Sequence, residues 1–149
     1  MRVIFDTNIF ISYLISPANP ERTVVWLIDA AVNGLFTLVL PVDLISELEE
    51  TIAGKAHLSR AIPMEQRNAF LAVLRGWSET LPSLPGPQPR VTQDPEDDYL
   101  LAAATIANVD VLVSGDIHLL ELRDRIRKPA IMTAIEFLDR ITSPDQAQP

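Results

Sequence analysis

The sequence predicts an α/β fold, a three-layer arrangement in which a parallel sheet is flanked by helices. Three observations predict it. Short apolar runs recur at Val3–Phe5, Leu35–Leu40, Val109–Val113 and Ala130–Met132, each of a length that suits a buried strand. Longer segments between them carry apolar residues at helical spacing, as in Val24, Leu27, Ile28 and Ala31 at i, i+3, i+4 and i+7. Strand and helix therefore alternate, and that order buries parallel strands beneath crossover helices.

Taken in order, residues 2–6 (RVIFD) form a short central strand, and 8–16 begin a helix capped by Asn8 or Thr7. Pro17 and Pro20 mark a loop, and the helix that starts at Glu21 ends at Gly34. Leu35–Leu40 is the second strand, stopped by Pro41. Residues 42–53 return to helix through Leu44, Ile45, Leu48 and Ile52, with Gly54 placed to cap it. Residues 55–62 connect to a helix near 63–76, whose stripe is Phe70, Val73, Leu74 and Trp77. Pro82, Pro85, Pro87 and Pro89 make the stretch after Glu79 an extended surface loop. Residues 94–107 read as helix, 109–116 as a buried strand, 117–122 as a short helix or turn, and 130–132 as a small edge strand. Thr133 caps a last helix over 134–141. One domain over residues 1–141 is expected, followed by a disordered tail at 142–149. There is no internal repeat.

Composition narrows the function. A chain of 149 residues, 48% of them hydrophobic, suits one globular domain. With no cysteine, disulfides and thiolate metal sites are excluded. No apolar run reaches bilayer length, and no basic segment precedes an apolar leader, so a cytoplasmic protein with no membrane partner is expected. The net charge of −8 opposes nonspecific attraction to a polyanion.

The acids are placed unevenly. Asp6 ends the first strand, and Asp116 follows the third apolar run, Val109–Val113, after the Ser114-Gly115 turn. In an open parallel sheet both project at the carboxyl edge, where functional groups gather. No lysine or arginine lies beside either one in the sequence, and a buried carboxylate needs a cation or hydrogen-bond donors. Each taken alone is also an ordinary cap or turn residue. In Asp94-Pro95-Glu96-Asp97-Asp98, Asp94 as N-cap and Pro95 at N1 make a good helix start. Capping needs only one or two of these acids. Asp97 lies in line with Leu100, Leu101 and Ala104 and is aimed at the sheet, with Asp98 as the alternate. Glu47 shares a face with Leu44, Leu48 and Thr51, whereas Glu49 and Glu50 fit a solvated face. Asp6, Glu47, Asp97 and Asp116 together are an all-oxygen ligand set suited to Mg²⁺ or Mn²⁺, and such a set suits phosphodiester hydrolysis.

Four motifs in order, FDTN, SELEE, DPEDDYLLAAA and LVSGD, carry a resemblance over about residues 1–140. The sequence resembles the PIN-domain nucleases, in particular the small prokaryotic toxins of toxin–antitoxin pairs. The resemblance implies a PIN-like fold and a metal-dependent ribonuclease. It implies catalytic and metal-binding roles for Asp6, Glu47, Asp97 and Asp116, with Asp98 one residue away as the alternate third acid. Asn8 would orient the first carboxylate, and Ser114 stands where a threonine is common. His118 departs from the pattern, because an acid often occupies that place. The implied partners are RNA, a cognate antitoxin protein that reaches into the acidic pocket, and a second copy of the chain in a homodimer.

An acidic chain that holds RNA must concentrate its bases. Lys55, His57, Arg60 and Arg67 lie in and after the connection that follows the Glu47 helix, and Lys55, Arg60 and Arg67 are the expected RNA contacts. Arg123, Arg125, Arg127 and Lys128 form a second group, for which ordinary surface charge is the stronger account. Two other readings use the same acids. A haloacid dehalogenase-like phosphatase needs a second Asp at position 8, where this chain has Asn8. A catalytically inert PIN-like module would bind RNA or protein without cutting.

Overall fold

The computed structural model describes residues 1–144. The elements run β1 (Arg2–Phe5), α1 (Thr7–Ile15), α2 (Thr23–Val32), β2 (Thr37–Pro41), α3 (Val42–Gly54), α4 (Ala56–Ala61), α5 (Met64–Trp77) and β3 (Glu79–Leu81). They continue through α6 (Pro95–Ile106), β4 (Val111–Val113), α7 (Ile117–Leu120), β5 (Ala130–Met132) and α8 (Ala134–Thr142). Five strands form one sheet in the order β3-β2-β1-β4-β5, every pairing parallel. This is the three-layer α/β arrangement expected, with helices on the sheet's faces.

β1 is central because all its residues after Arg2 are apolar and fully covered; Val3, Ile4 and Phe5 are buried from both sides. Phe5 meets Phe10 of α1, Phe36 before β2 and Phe137 of α8 in a cluster of tilted and edge-on rings. The chain winds outward from β1 to β2 and β3, then crosses back to β4. With the right-handed crossovers usual for parallel strands, that change of direction is expected to put α6 on the face opposite α1 and α2. That reversal puts the topological switch point, where such sheets bind ligands, at the carboxyl ends of β1 and β4.

Local departures from expectation have local causes. β3 overlaps the start of the proline-rich stretch assigned to loop. It is three residues long, mostly exposed and at the sheet edge, so it lacks the apolar alternation that marks a strand. α4 forms where a connection was expected, anchored by buried Leu58 and by the Ser59 hydroxyl donating to the Ile52 carbonyl at 2.7 Å. Gly54 is the last residue of α3, and Lys55 leaves in an extended conformation, so no left-handed cap is used there. Gly34 does take the left-handed conformation, at φ +76°. The N-cap of α1 is Asp6, not Asn8 or Thr7. Thr133 caps α8 as expected, in a reciprocal capping box with Glu136. α8 runs to Thr142; of the segment assigned to a disordered tail, residues 145–149 lie outside the described residues. Among the described residues no helix is long and apolar enough to cross a membrane.

Candidate metal centre

The acids converge because helix and strand ends converge. β1 ends at Asp6, β4 is followed within three residues by Asp116, and α6 starts at Asp94. Asp6, Asp94 and Asp116 are the N-caps of α1, α6 and α7 respectively, so three helix N-termini face one place. The strand register sets the first contact. Phe5 pairs with Val113, and the Asp6 N–H donates to the Val113 carbonyl at 2.9 Å. Asp6 and Ser114 therefore sit side by side just past the ladder.

Ser114 is fully buried and joins the two strand-end acids. Its hydroxyl donates to Asp6 Oδ2 at 2.6 Å and accepts the Asp116 N–H at 3.0 Å. Burial pushes the Asp6 carboxyl up from its ordinary value. The Ser114 hydroxyl and the Asn8 N–H pull it back, and Asp116 pushes it further up. Asn8 reaches the Asp6 carboxyl through its backbone N–H, and its side chain is exposed, while the Ser114 hydroxyl contacts Asp6 directly.

Asp97 is the least satisfied acid. It is 5% exposed, and its Oδ2 has no hydrogen-bond partner among the described residues. Burial pushes its carboxyl up to about 7, with Asp116, Asp94 and Asp6 adding repulsion and His118 opposing it. Asp94, Asp97 and Asp116 each bring a carboxylate oxygen to within 4.8 Å of the other two. At that separation each charged pair repels by about 3 kcal/mol for an effective dielectric of about 20. A helix N-terminus returns only about 0.3–1 kcal/mol. The dipoles do not offset the repulsion, and a hard divalent cation would.

The family model for the PIN domain matches residues 2–118. The chain belongs to the PIN-domain family. The matched segment runs from β1 to His118 and contains every acid of the cluster. A PIN domain implies a metal-dependent nuclease, and the oxygen-only ligand set fits that chemistry. Comparison with curated proteins gives no match.

Within this PIN domain, the sequence-derived acids fall into three groups. Asp97 and Asp116 meet directly, and Asp6 is tied to Asp116 through Ser114. Glu47 approaches from α3. Its carboxyl is pushed up to about 7, chiefly by burial and then by Glu96, while Thr7 and Asp6 act on it from the β1 side. Asp98, the alternate third acid, is engaged elsewhere. It accepts the Val91 and Thr92 N–H groups at 2.9 and 2.6 Å and lies 3.1 Å from Arg90 Nε. Those bonds outweigh its burial and hold its carboxyl below the ordinary range.

Sequence reasoning left out Asp94. It does cap α6, accepting the Glu96 N–H at 2.9 Å, but capping occupies one oxygen and the residue still reaches the cluster. Its spacing of i, i+3 from Asp97 was the available signal. Glu96, assigned to the helix start, also proves to face Glu47. The expected RNA contacts do not gather at the acids in one step. Lys55 and Arg60 are exposed, and Lys55 lies about 12 Å along the helix axis from Glu47. Arg67 is partly buried, with Nε lacking a hydrogen bond.

Proposed function

We propose that the chain is a Mg²⁺- or Mn²⁺-dependent endoribonuclease that hydrolyses RNA phosphodiester bonds. In the cell it would act in the cytoplasm as the toxin of a toxin–antitoxin pair, a homodimer held inactive by its antitoxin protein. The observation that carries the hydrolytic reading is the buried Asp97 carboxylate, unpartnered on Oδ2, inside a cluster with Asp94 and Asp116.

Asp97, Asp116 and Asp94 would hold the cation, with Asp6 and Glu47 completing the ligand set. When bound, such a cation lowers the pKa of a water and neutralises charge on the phosphate. Ser114 fixes the Asp6 carboxylate by its short hydrogen bond. Thr7, at the start of α1, lowers the Glu47 carboxyl while burial and Glu96 raise it, so α1 and α3 meet at the acids. Burial of Asp97 in the first turn of α6 keeps its carboxylate from swinging into solvent.

The test is cleavage of a generic labelled RNA. Wild type is expected to cut with Mg²⁺ or Mn²⁺, and EDTA or Asp6→Asn to abolish it. Turnover of a small phosphomonoester with none of RNA would overturn the nuclease reading in favour of a phosphatase. RNA binding without cutting under any metal would favour an inert module. The toxin role predicts growth arrest on expression, relieved by the product of a short adjacent reading frame.

A further inference from the structure

A second feature lies against the acids and is chemically their opposite. A groove of about 350 Å³ runs between the segment Arg90–Gln93 and the α7 region, with His118, Glu121 and Arg125 on its other wall. Each of its walls is joined to one of the clustered acids. Gln93 directly precedes Asp94, and the Thr92 hydroxyl donates to the Asp94 carbonyl at 2.8 Å. Opposite, the His118 N–H donates to Asp116 Oδ1 at 2.8 Å.

Its cations are available to a ligand. The ion pair with Asp98 uses only Nε of Arg90, whose side chain is 65% exposed, so both terminal guanidinium nitrogens remain free to donate. Arg123 is paired to Glu136 and Lys128 lies 3.6 Å from Asp110. Arg125 has no ion-pair partner among the described residues, and it is the member of that basic group that lines the groove. Two guanidiniums and an imidazole thus face one carboxylate, Glu121, in a chain whose net charge is −8.

We propose that this groove holds the sugar-phosphate backbone of the RNA beside the cleaved bond, with Arg125 and Arg90 as the phosphate ligands. The proposal rests on the nuclease reading above and names where its substrate lies. Loop and α7 walls lead straight to Asp94 and Asp116, so a strand seated in the groove has its next phosphate at the acids. Arginine suits the task because its planar fork meets phosphate oxygens in pairs. The arrangement also answers the charge objection: attraction is local, at one groove, and not spread over the surface.

Binding is measured by fluorescence anisotropy of a labelled single-stranded RNA, on an Asp97→Asn parent that does not turn over, across a range of salt. Arg125→Glu is expected to weaken binding roughly tenfold and to reduce the salt slope by about one. Arg125→Ala should shift both in the same direction by less. Arg127→Glu makes the same change in net charge outside the groove and should leave binding nearly unchanged. Equal weakening by Arg127→Glu and Arg125→Glu, an unaltered affinity in Arg125→Glu, or no measurable RNA binding by the parent would each overturn the groove. Wild type that cuts RNA while Arg125→Glu binds normally sinks the groove and spares the nuclease. Binding through Arg125 with no cutting under any metal sinks the nuclease and spares the groove.

Discussion

β4 has an aspartate near each end, and the protein treats the two in opposite ways. Asp110, just before the strand, accepts the Arg2 N–H at 2.8 Å and has Lys128 Nζ at 3.6 Å. The bond from Arg2, and then Lys128, hold its carboxyl below the usual range. Nearby, Arg2 also pairs with Glu79, so the amino edge of the sheet is balanced charge by charge. Asp116, just past the strand, meets Asp94 and Asp97, and among the described residues none of the three has an ion-pair partner. Helix α6 repeats the contrast between neighbours: Asp98 accepts the Val91 and Thr92 N–H groups and is ion-paired with Arg90, while Asp97 has no such partner and is pushed up to about 7. Paired acids hold the fold together. The unpaired ones cost stability, and such a cost persists where a ligand recovers it.

The sharpest way to break this comparison is Asp97→Asn. If the carboxyl edge serves chemistry, RNA cleavage should fall by several kcal/mol of transition-state stabilisation, roughly a thousand-fold. The metal-free protein should meanwhile become more stable, because a repelled charge is gone. Asp97 binds its proton more tightly in the folded state than unfolded, its carboxyl being raised from 3.8 to about 7. Its favourable contribution is therefore complete below about pH 4 and is lost as pH rises through about 7. Thermal midpoints of the metal-free wild type should drop relative to Asp97→Asn over that window, each kcal/mol showing as roughly 2–4 °C. Mn²⁺ should close the gap in wild type only. A variant less stable than wild type at pH 8 without metal would place Asp97 with the structural acids.

A smaller effect is expected at Ser114, which touches acids without being one. Ser114→Ala removes the donor to Asp6 and the acceptor for the Asp116 N–H. Loss of such a supporting contact costs about 10–100-fold in metal affinity or activity. Mn²⁺ titration followed by calorimetry separates this from simple unfolding. An unchanged affinity would show that β1 and β4 position the two acids by backbone register alone.

Why the carboxyl edge was largely legible in the sequence follows from the same contrast. A carboxylate at the end of an apolar run conflicts with its surroundings, and Asp6, Asp97 and Asp116 each announce that conflict by position. Glu47 was harder, since it sits at the margin of its helix's apolar face beside two solvated glutamates. Asp94 was hidden because its capping role is real and accounts for its presence completely. Asp98 and Asp97 were separated only by the loop that folds onto Asp98, a contact that helical periodicity does not contain. The strand order was not spelled out by alternation of elements, and β3 was missed because three mostly exposed edge residues carry no pattern. The basic groove escaped for a related reason: Arg90 and Arg125 are 35 positions apart, and only the fold brings their walls together.

The mildest prediction lies at the amino edge, where the comparison predicts stability without chemistry. Asp110→Ala removes one charge-assisted bond and one long ion pair from a residue whose side chain is 41% exposed. Discounted for solvent screening, the loss should be about 1 kcal/mol. The pH dependence runs opposite to that of Asp97. A lowered carboxyl stabilises above its unfolded value of 3.8, and that stabilisation disappears as pH falls through the still lower folded value. Wild type and Asp110→Ala should therefore differ at pH 7 and converge in acid, as measured by urea unfolding. Cleavage per folded molecule and Mn²⁺ affinity should not change. A loss of either would mean that the two ends of β4 are coupled, and that the division between a structural and a chemical edge does not hold.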